Sequence, residues 1–439
     1  MRVQPKGAPG ECNCLDENRS WDELRSRLPA DLDERARQSG ALRRARKVRN
    51  GEQLLRLILI YATCTLSMRD SAAWAGRALH LSLTADALNY RFSCAVRFLR
   101  TLVLDEVRRQ MGRQDRPGPA LRILDGTGLN EPGSKGTDWR LHVTYTPGEG
   151  AVGLELTDAH GGEHLTRGVG QPGDVFLIDR GYGHAREVRT ARAEGKEIVV
   201  RVHLQNLPVQ DIQGQQLAPK TLLKRADKGV LDQPVRLTEA KQEPVEARLV
   251  IAPLPREKAA RARQKVRKAA AKKGRSPDAL ALKLAGYFCV VTTLDAERLP
   301  AKTLLTWYKI RWQVELWFKR SKSLLRLGQL TKASVLLVSI QIWGRLLVAL
   351  LIQRLWPHPP DVEPVPGKPP LSAWRLTRIY WLDVVLAVYG GTSLDRRLAD
   401  KQSLEHLREH SRRKRTWADT LIADAKRTLG SWQPSKADA

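Results

Sequence analysis

Hydrophobic and polar positions divide the chain into stretches of different periodicity. Up to about residue 118 the apolar residues recur at helical spacing, which predicts a mostly helical region over residues 1–118. The run Glu52–Cys64 predicts an apolar helix, and Ser67 is a suitable N-cap for the next helix, which reaches Ala78. Another helix opens after Leu81. Short helices at this spacing are typical of a helix-turn-helix-like DNA-binding domain or of a basic helical bundle.

Between residues 119 and 206 the pattern changes to short apolar runs of strand length. The predicted strands are Leu121–Asp125, Arg140–Thr146, Val152–Thr157, Val175–Asp179 and Glu197–His203. A helical stretch from His184 to Glu194 lies between the last two strands. Three strands in sequence, followed by strand, helix and strand, predict a mixed α/β domain whose helices cover a mixed sheet.

A third stretch, residues 207–295, contains β-leaning segments and a strongly cationic helix between Pro255 and Gly274. The cationic helix predicts phosphate contacts or, alternatively, a solvated and self-repelling linker. Residues 296–356 return to helical spacing. A proline-rich linker at residues 357–370 then precedes a helical C-terminal region, residues 371–439, which would carry a dimer contact or an extra DNA contact.

The most apolar stretch, residues 333–356, approaches the length of a membrane span. It carries Gln341 and Arg345 at its centre, and both are costly to place in lipid. We therefore expect a buried core helix and no membrane span. Residues 1–50 are polar and charged, so no secretory signal is expected either.

Candidate chemistry begins in the segment from Tyr308 to Lys322, which contains no Gly or Pro. Helical steps of three, four and seven residues place Tyr308, Arg311, Glu315 and Lys322 along one face. One carboxylate among basic side chains suits a helix that brings a metal ligand and phosphate-binding cations to a nucleic-acid backbone. The alternative is a solvated helix face with ordinary ion pairs one turn apart.

Two aspartates, Asp125 and Asp179, each end a predicted strand and are followed by turn residues. A carboxylate just past a buried strand is held in place by rigid backbone. Mg²⁺ prefers carboxylate oxygens, and Glu315 would complete a site for two ions about 3.5–4 Å apart. Each aspartate alone is equally compatible with a turn former or a helix N-cap.

Together these residues resemble the DDE transposases of cut-and-paste insertion sequences. The resemblance is to the IS-four-like group, whose third-acid helix reads Y-x2-R-x3-E-x6-K, the YREK signature. The four matching positions are Tyr308, Arg311, Glu315 and Lys322. Asp179-Arg-Gly-Tyr182 is similar to the second-acid block, and Asp125-Gly-Thr127 to the first. The first acid of the family is often followed by two hydroxyl residues, but here Gly126, which has no hydroxyl, and Thr127 follow Asp125, and Asp158 is the alternative.

The resemblance runs from about Leu42 to Trp356. It implies an α/β protein with a ribonuclease-H-like catalytic core, divided between residues 119–206 and 296–356. A β-rich insertion domain at residues 207–295 would interrupt the core, with helical N-terminal and C-terminal regions on either side. It also implies that Asp125, Asp179 and Glu315 are the catalytic acids and hold two Mg²⁺ ions, for which Mn²⁺ substitutes.

The same resemblance implies that Tyr308, Arg311 and Lys322 grip phosphates near the scissile bond. In relatives, an aromatic side chain on the strand at Tyr287 stacks on a base flipped out of the duplex. Tyr287 or Phe288 would have that role here, with core packing as the alternative for Tyr287. Relatives also form a hairpin at the transposon end and act as a homodimer that synapses two ends.

Composition agrees with a polyanionic partner. The chain has 75 Lys and Arg against 47 Asp and Glu, a net charge of +28 and a pI near 10.3. That balance predicts salt-dependent binding to a polyanion, although a ribosomal or membrane-surface protein would share it. The resemblance implies that this partner is double-stranded DNA, both terminal inverted repeats and target. The candidate DNA contacts of the N-terminal region form one cluster: Arg43, Arg44, Arg46 and Lys47.

The five cysteines are few, odd in number and scattered, which predicts reduced thiols in a cytoplasmic protein. The resemblance implies a place at the bacterial nucleoid. Cys12 and Cys14 supply half of a zinc-site pattern, and no second pair follows. Two other functions fit the chain: a catalytically decayed DNA-binding repressor, and a ribonuclease-H-like nuclease without strand transfer. The three acids argue against the repressor, and the YREK spacing favours transposition over the nuclease.

Overall fold

The computed structural model describes residues 19–112, 118–355, 371–390, 408 and 416–432. The pair Cys12 and Cys14, the proline-rich stretch 357–370 and the basic run Arg412–Arg415 lie outside the described residues. The described chain divides into two compact units. One contains the described residues up to Glu106, Asn130–Ser134 and those from Lys319 to residue 408; the other contains the remainder. The predicted domain boundaries at 118, 206, 295 and 356 stay predictions.

Helices occupy both units. In chain order they are α1 (Arg19–Ser26), α2 (Leu32–Gln38), α3 (Gly51–Cys64), α4 (Met68–Leu79), α5 (Ala85–Cys94), α6 (Val96–Gly112), α7 (Ala185–Ala193), α8 (Pro219–Ala226), α9 (Arg256–Ala271), α10 (Ala279–Leu284), α11 (Ala301–Trp307), α12 (Trp312–Ser323), α13 (Val335–Leu355), α14 (Ala373–Tyr389) and α15 (Thr416–Gly430). Side-chain caps begin several of them. Ser67 accepts the backbone N–H of Asp70 in a capping box, which confirms the predicted start of α4.

The first of the two units is mostly helical, and we call it the helical unit. Its central helix, α13, packs against α3, α5 and α14. Its residues Leu337 to Ile352 are buried, as expected for a core helix. Among the described helices, α13 is the one long and apolar enough to cross a membrane, and 89% of its most apolar stretch is buried inside the protein. Arg345 donates to the carbonyl oxygens of Ala62 and Gln329 at 2.8 and 2.9 Å, so its buried charge is hydrogen-bonded.

The second unit is built on one nine-stranded sheet in the order β3-β2-β1-β4-β5-β9-β8-β7-β6. The strands are β1 (Leu121–Leu129), β2 (Trp139–Thr146), β3 (Gly150–Asp158), β4 (Val175–Ile178), β5 (Glu197–Arg201), β6 (Val209–Gln210), β7 (Leu231–Glu239), β8 (Gln242–Pro253) and β9 (Tyr287–Thr292). β1, β4 and β5 run parallel, and every other neighbouring pair is antiparallel. The predicted mixed α/β class is confirmed.

β1 is longer than predicted, so Asp125 lies inside the strand. Gly126 and Thr127 pair with β2 instead of forming a turn, and the ladder runs on to Leu129. The prediction was wrong because cross-strand pairing with β2 outweighs the low strand preference of glycine. A Cβ at Gly126 would lie only 3.3 Å from Nδ1 of His142 on β2, so this position favours glycine for close approach.

The helix that carries Glu315 begins later than predicted. Tyr308 to Arg311 form a short 3₁₀ turn, and α12 starts at Trp312. Tyr308 and Arg311 therefore do not share a regular α-helical face with Glu315. The tighter turn changes where both side chains point, because 3₁₀ geometry has three residues per turn.

Candidate active site

The two aspartates lie close together at one edge of two paired strands. β4 ends at Ile178, which pairs with Leu124 of the parallel neighbour β1. Asp125 follows Leu124 within β1 and Asp179 directly follows β4, and they are close enough for the charge of Asp179 to affect the titration of Asp125. The parallel register of β1 and β4 therefore accounts for the closeness of Asp125 and Asp179.

Arg311 contacts two of the three predicted acids, Asp125 and Glu315. One terminal nitrogen of its guanidinium donates to Oδ2 of Asp125 at 2.9 Å, and the other donates to Oε1 of Glu315. The arginine side chain is 13% exposed and that of Asp125 15%, whereas that of Glu315 is 43% exposed. Burial opposes the charge on Arg311, but Tyr308 and the nearby carboxylates outweigh it and raise the pKa of this guanidinium. The arginine thus neutralises a cluster of acids.

Asp125 binds its proton more tightly than an ordinary aspartate. Burial raises its pKa to about 6, and the neighbouring carboxylates of Asp179 and Glu315 push it in the same direction. Arg311 and the backbone N–H of Gly126, which donates to Asp125 at 2.8 Å, act against that rise. Asp158, the alternative first acid, ends β3 four residues further along the ladder and is exposed. The structure thus brings Asp125, rather than Asp158, to Arg311.

Tyr308 supports the strand end that precedes the second acid. Its buried hydroxyl donates to the carbonyl oxygen of Ile178 at 3.1 Å, directly before Asp179. Burial raises the pKa of this phenol, so it remains a neutral donor. The Tyr308 ring packs edge to face against the Phe288 ring of β9, with centroids 5.0 Å apart. The guanidinium of Arg201 lies over the Phe288 ring, 5.4 Å from its centroid. Tyr308 is therefore committed to protein contacts in this conformation.

Tyr287, the predicted base-stacking residue, is 9% exposed and belongs to the buried core of the sheet. Its hydroxyl donates to Asp227, and burial together with that contact raises its pKa to about 12. This agrees with the core-packing alternative. Phe288, the next residue on β9, is half-buried and contacts Tyr308, so of the two aromatics of β9 it is the one on the side of Tyr308.

Glu163 is a further acid near the site that sequence reasoning did not assign to it. It pairs with Arg140 at 3.6 Å and lies over the turn that follows Asp179. A Cβ at Gly181 would lie only 1.5 Å from Oε2 of Glu163, so the carboxylate fills the space that any other residue at 181 would need. The glycine in Asp-Arg-Gly-Tyr was the available signal for this close approach.

The remaining predicted residues lie in the helical unit. Lys322 follows Glu315 by seven residues on α12, where it is half-buried and burial lowers its pKa. The four cations of the N-terminal cluster are exposed on the connection between α2 and α3: Arg43, Arg44, Arg46 and Lys47.

Within the described part of the chain, no three acidic, histidine or cysteine side chains are grouped so that they could hold a metal ion. Two of the predicted ligands instead hold the Arg311 guanidinium between them. The donor set nevertheless fits a hard divalent cation, because all three predicted ligands are carboxylates and their combined charge already requires a cation.

Comparison with known proteins places these residues in a family. The family described as the transposase DDE domain matches residues 116–351. The putative transposase InsL for insertion sequence element IS186A of Escherichia coli K12 is 31% identical over 364 residues, which cover 81% of this chain and 97% of that protein. The transposase for insertion sequence element IS421 of Escherichia coli is 31% identical over 365 residues, with the same coverage of both chains.

Proposed function

Because the chain belongs to the DDE transposase family, an enzyme family that acts on DNA with divalent metal ions, we propose that Asp125, Asp179 and Glu315 are its catalytic acids. They would cut an insertion sequence out at its terminal inverted repeats and join it to target DNA. The observation that carries this proposal is the contact of Arg311 with Asp125 and Glu315, beside the strand end at Asp179.

A ribonuclease-H-like core is part of the proposal. Its support is the strand order 3-2-1-4-5 of the first five strands, with an antiparallel β1-β2-β3 part and parallel β1, β4 and β5. The strands of residues 207–295 extend the same sheet beyond β5. We assign them to the insertion and leave the catalytic part to residues 119–206 and 296–356.

Two Mg²⁺ ions would be held by the three acids, and Mn²⁺ would substitute. When bound, such ions activate the attacking oxygen and stabilise the leaving oxygen of an in-line phosphodiester displacement. In the first reaction water attacks and a DNA strand leaves with a free 3′-hydroxyl. In the second, that hydroxyl attacks target DNA, so one phosphodiester forms as another breaks.

The other residues of the site would position the acids or neutralise their charge. The Tyr308 hydroxyl bonds the backbone carbonyl of Ile178 and would thereby fix the direction in which the Asp179 side chain points. Arg311 neutralises Asp125 and Glu315 when no metal ion is bound, and it would turn to a phosphate of the DNA once ions replace it. Lys322 would contact phosphates from the end of α12. Phe288, rather than Tyr287, would stack on a displaced base at the transposon end.

The partners follow from the reaction. Two ends must be held together before they are joined to a target, so we propose that a homodimer binds both ends at the bacterial nucleoid. A hairpin intermediate at each end is part of the same proposal, on the strength of the YREK positions. The free 3′-hydroxyl would first attack the opposite strand and release the flanking DNA, and water would then open the hairpin and free the 3′-hydroxyl again before it attacks the target.

The test is cleavage of a supercoiled plasmid that carries the element's own ends, with Mg²⁺ present. We expect wild type to cut at the ends and to transfer them to a second plasmid, Glu315→Gln to bind the ends without cutting, and Asp158→Asn to retain cleavage. End binding without cleavage by wild type would favour the repressor, and cleavage without transfer would favour the nuclease. Cleavage by Glu315→Gln would overturn the assignment of the third acid.

A further inference from the structure

A cationic groove lies in the helical unit. It has a volume of about 600 Å³ and runs between the connection after α2 and the helix α5. We name it the basic groove. One wall is formed by residues 40–47 with the four cations of the N-terminal cluster, and the other by α5 with the residues that lead into it.

The loop wall presents cations without acidic partners. Buried side chains at Leu42 and Val48 hold the loop at both ends, and the side chains between them are exposed. Within the described part of the chain, none of the four cations forms an ion pair with a carboxylate. Uncompensated cations within a few residues of each other repel, and a polyanion relieves that repulsion.

The helix wall has a regular stripe facing the groove. Ala87, Tyr90, Arg91 and Cys94 follow the i, i+3, i+4, i+7 pattern of one helix face. Leu88 and Phe92 are fully buried on the other side, and the Phe92 ring packs on Tyr61 at 5.3 Å. The position of the stripe is therefore set by the core.

Tyr90 is the unusual member of this stripe. Its side chain is 68% exposed, more than any other large hydrophobic residue of the described chain. An aromatic ring kept in water beside a row of cations matches a surface that contacts a nucleic acid, because the ring offers apolar area and the hydroxyl a hydrogen bond. Arg91 next to it donates to the carbonyl oxygen of Arg44 at 3.4 Å and so ties α5 to the loop.

We propose that the basic groove binds duplex DNA with a division of labour between its walls. The loop contacts phosphates and supplies affinity for any sequence, whereas α5 contacts bases through Tyr90 and supplies the preference for the element's ends. The small side chain of Ala87 allows the helix to approach the DNA closely. This rests on the proposed action on DNA ends but not on the assignment of the three acids.

The experiment measures binding of the full-length protein by fluorescence anisotropy in EDTA, so that no cleavage takes place. Two duplexes are compared: the terminal inverted repeat of the element, and a duplex of the same composition in shuffled order. The variants are Arg44→Ala, Tyr90→Ala and Tyr90→Phe. Arg69→Ala, which removes an exposed arginine of α4 outside the groove, is the matched control.

We expect Arg44→Ala to weaken binding to both duplexes by the same factor and to reduce the salt slope by about one. Tyr90→Ala should lower the ratio of end affinity to shuffled affinity by about fivefold to a hundredfold. Tyr90→Phe should have a smaller effect, because the ring remains. Arg69→Ala should leave both affinities close to wild type.

The proposed role of α5 is overturned if Tyr90→Ala leaves the ratio of end affinity to shuffled affinity unchanged, provided that thermal unfolding shows the variant to be folded. It is overturned for the loop if Arg44→Ala weakens binding no more than Arg69→Ala does. Since the assay contains no metal ion, failure of the plasmid cleavage test with binding intact would count against the assignment of the acids only.

Discussion

At the scale of single residues, the site is a cluster of carboxylates around one arginine. Asp125 and Glu315 would repel each other without Arg311, whose guanidinium donates to both. The partly buried Asp125 still has its pKa raised to about 6, so the arginine compensates only part of the cost of ionising it. The carboxylate cluster that the proposed function requires therefore lowers the stability of the metal-free protein.

Replacing Asp125 by asparagine should stabilise the metal-free protein at neutral pH. The folded-state pKa lies about 2 units above the ordinary value of 3.8, so the folded protein binds this proton more tightly than the unfolded chain. Wild type therefore loses stability as the pH rises from 4 through 6, by up to about 3 kcal/mol, and Asp125→Asn does not. Urea unfolding in EDTA between pH 4 and 8 measures the difference. A variant that is less stable than wild type at pH 8 would contradict this.

Replacing Arg311 by methionine should have the opposite effect. It leaves two carboxylates without their shared counter-charge, at a cost of about 3 kcal/mol in the free energy of unfolding in EDTA. Mg²⁺ should then raise the melting temperature of Arg311→Met more than that of wild type, because no guanidinium competes for the acids. Arg261→Met, which breaks the exposed pair with Glu257 on α9, is the control and should cost less than about 0.5 kcal/mol.

At the scale of elements, β9 carries two adjacent aromatics on opposite faces, because successive side chains of a strand alternate. Tyr287 packs into the core of the sheet and bonds Asp227, whereas Phe288 meets Tyr308 near the acids. Two successive residues of one strand therefore pack against different parts of the protein.

The two aromatics should be separable by mutation. Tyr287→Ala should lower the free energy of unfolding by roughly 3 kcal/mol, since it removes a buried ring and leaves Asp227 without its donor. Phe288→Ala should remain folded and lose most of its end cleavage. Thermal unfolding and the plasmid assay measure the two effects. A folded Tyr287→Phe variant that no longer cuts would favour Tyr287 as the stacking residue.

At the scale of the whole molecule, charge is the dominant feature. The net charge of +28 includes the cationic helix α9, whose side chains are mostly exposed, as well as the basic groove. Phosphate contacts of this kind release counterions, so they make binding depend on salt concentration.

Binding of DNA should therefore weaken steeply with salt. If six to ten phosphates are contacted, affinity should fall by about 10³- to 10⁵-fold between 50 and 200 mM salt. Anisotropy titrations at several salt concentrations, with the terminal duplex in EDTA, give the slope. A slope near zero would mean that the positive surfaces do not contact the DNA backbone.

The sequence by itself predicted most of the elements, the mixed α/β class and the candidate acids. Local periodicity predicted β2 to β5, α3, α4, α7 and α9 to within a few residues, because helical and strand spacing are properties of neighbouring positions. The YREK spacing and the two aspartates after apolar runs singled out the residues that the structure brings together around Arg311.

Tertiary structure alone decided what those residues contact. Arg311 and Asp125 are 186 positions apart, and their pairing depends on the parallel register of β1 and β4 and on the 3₁₀ turn before α12. The same holds for the extension of β1 past Asp125, which β2 imposes, and for the different surroundings of Tyr287 and Phe288, which depend on what packs against each face of β9. Such pairings arise between segments distant in the chain, so local spacing carries no information about them.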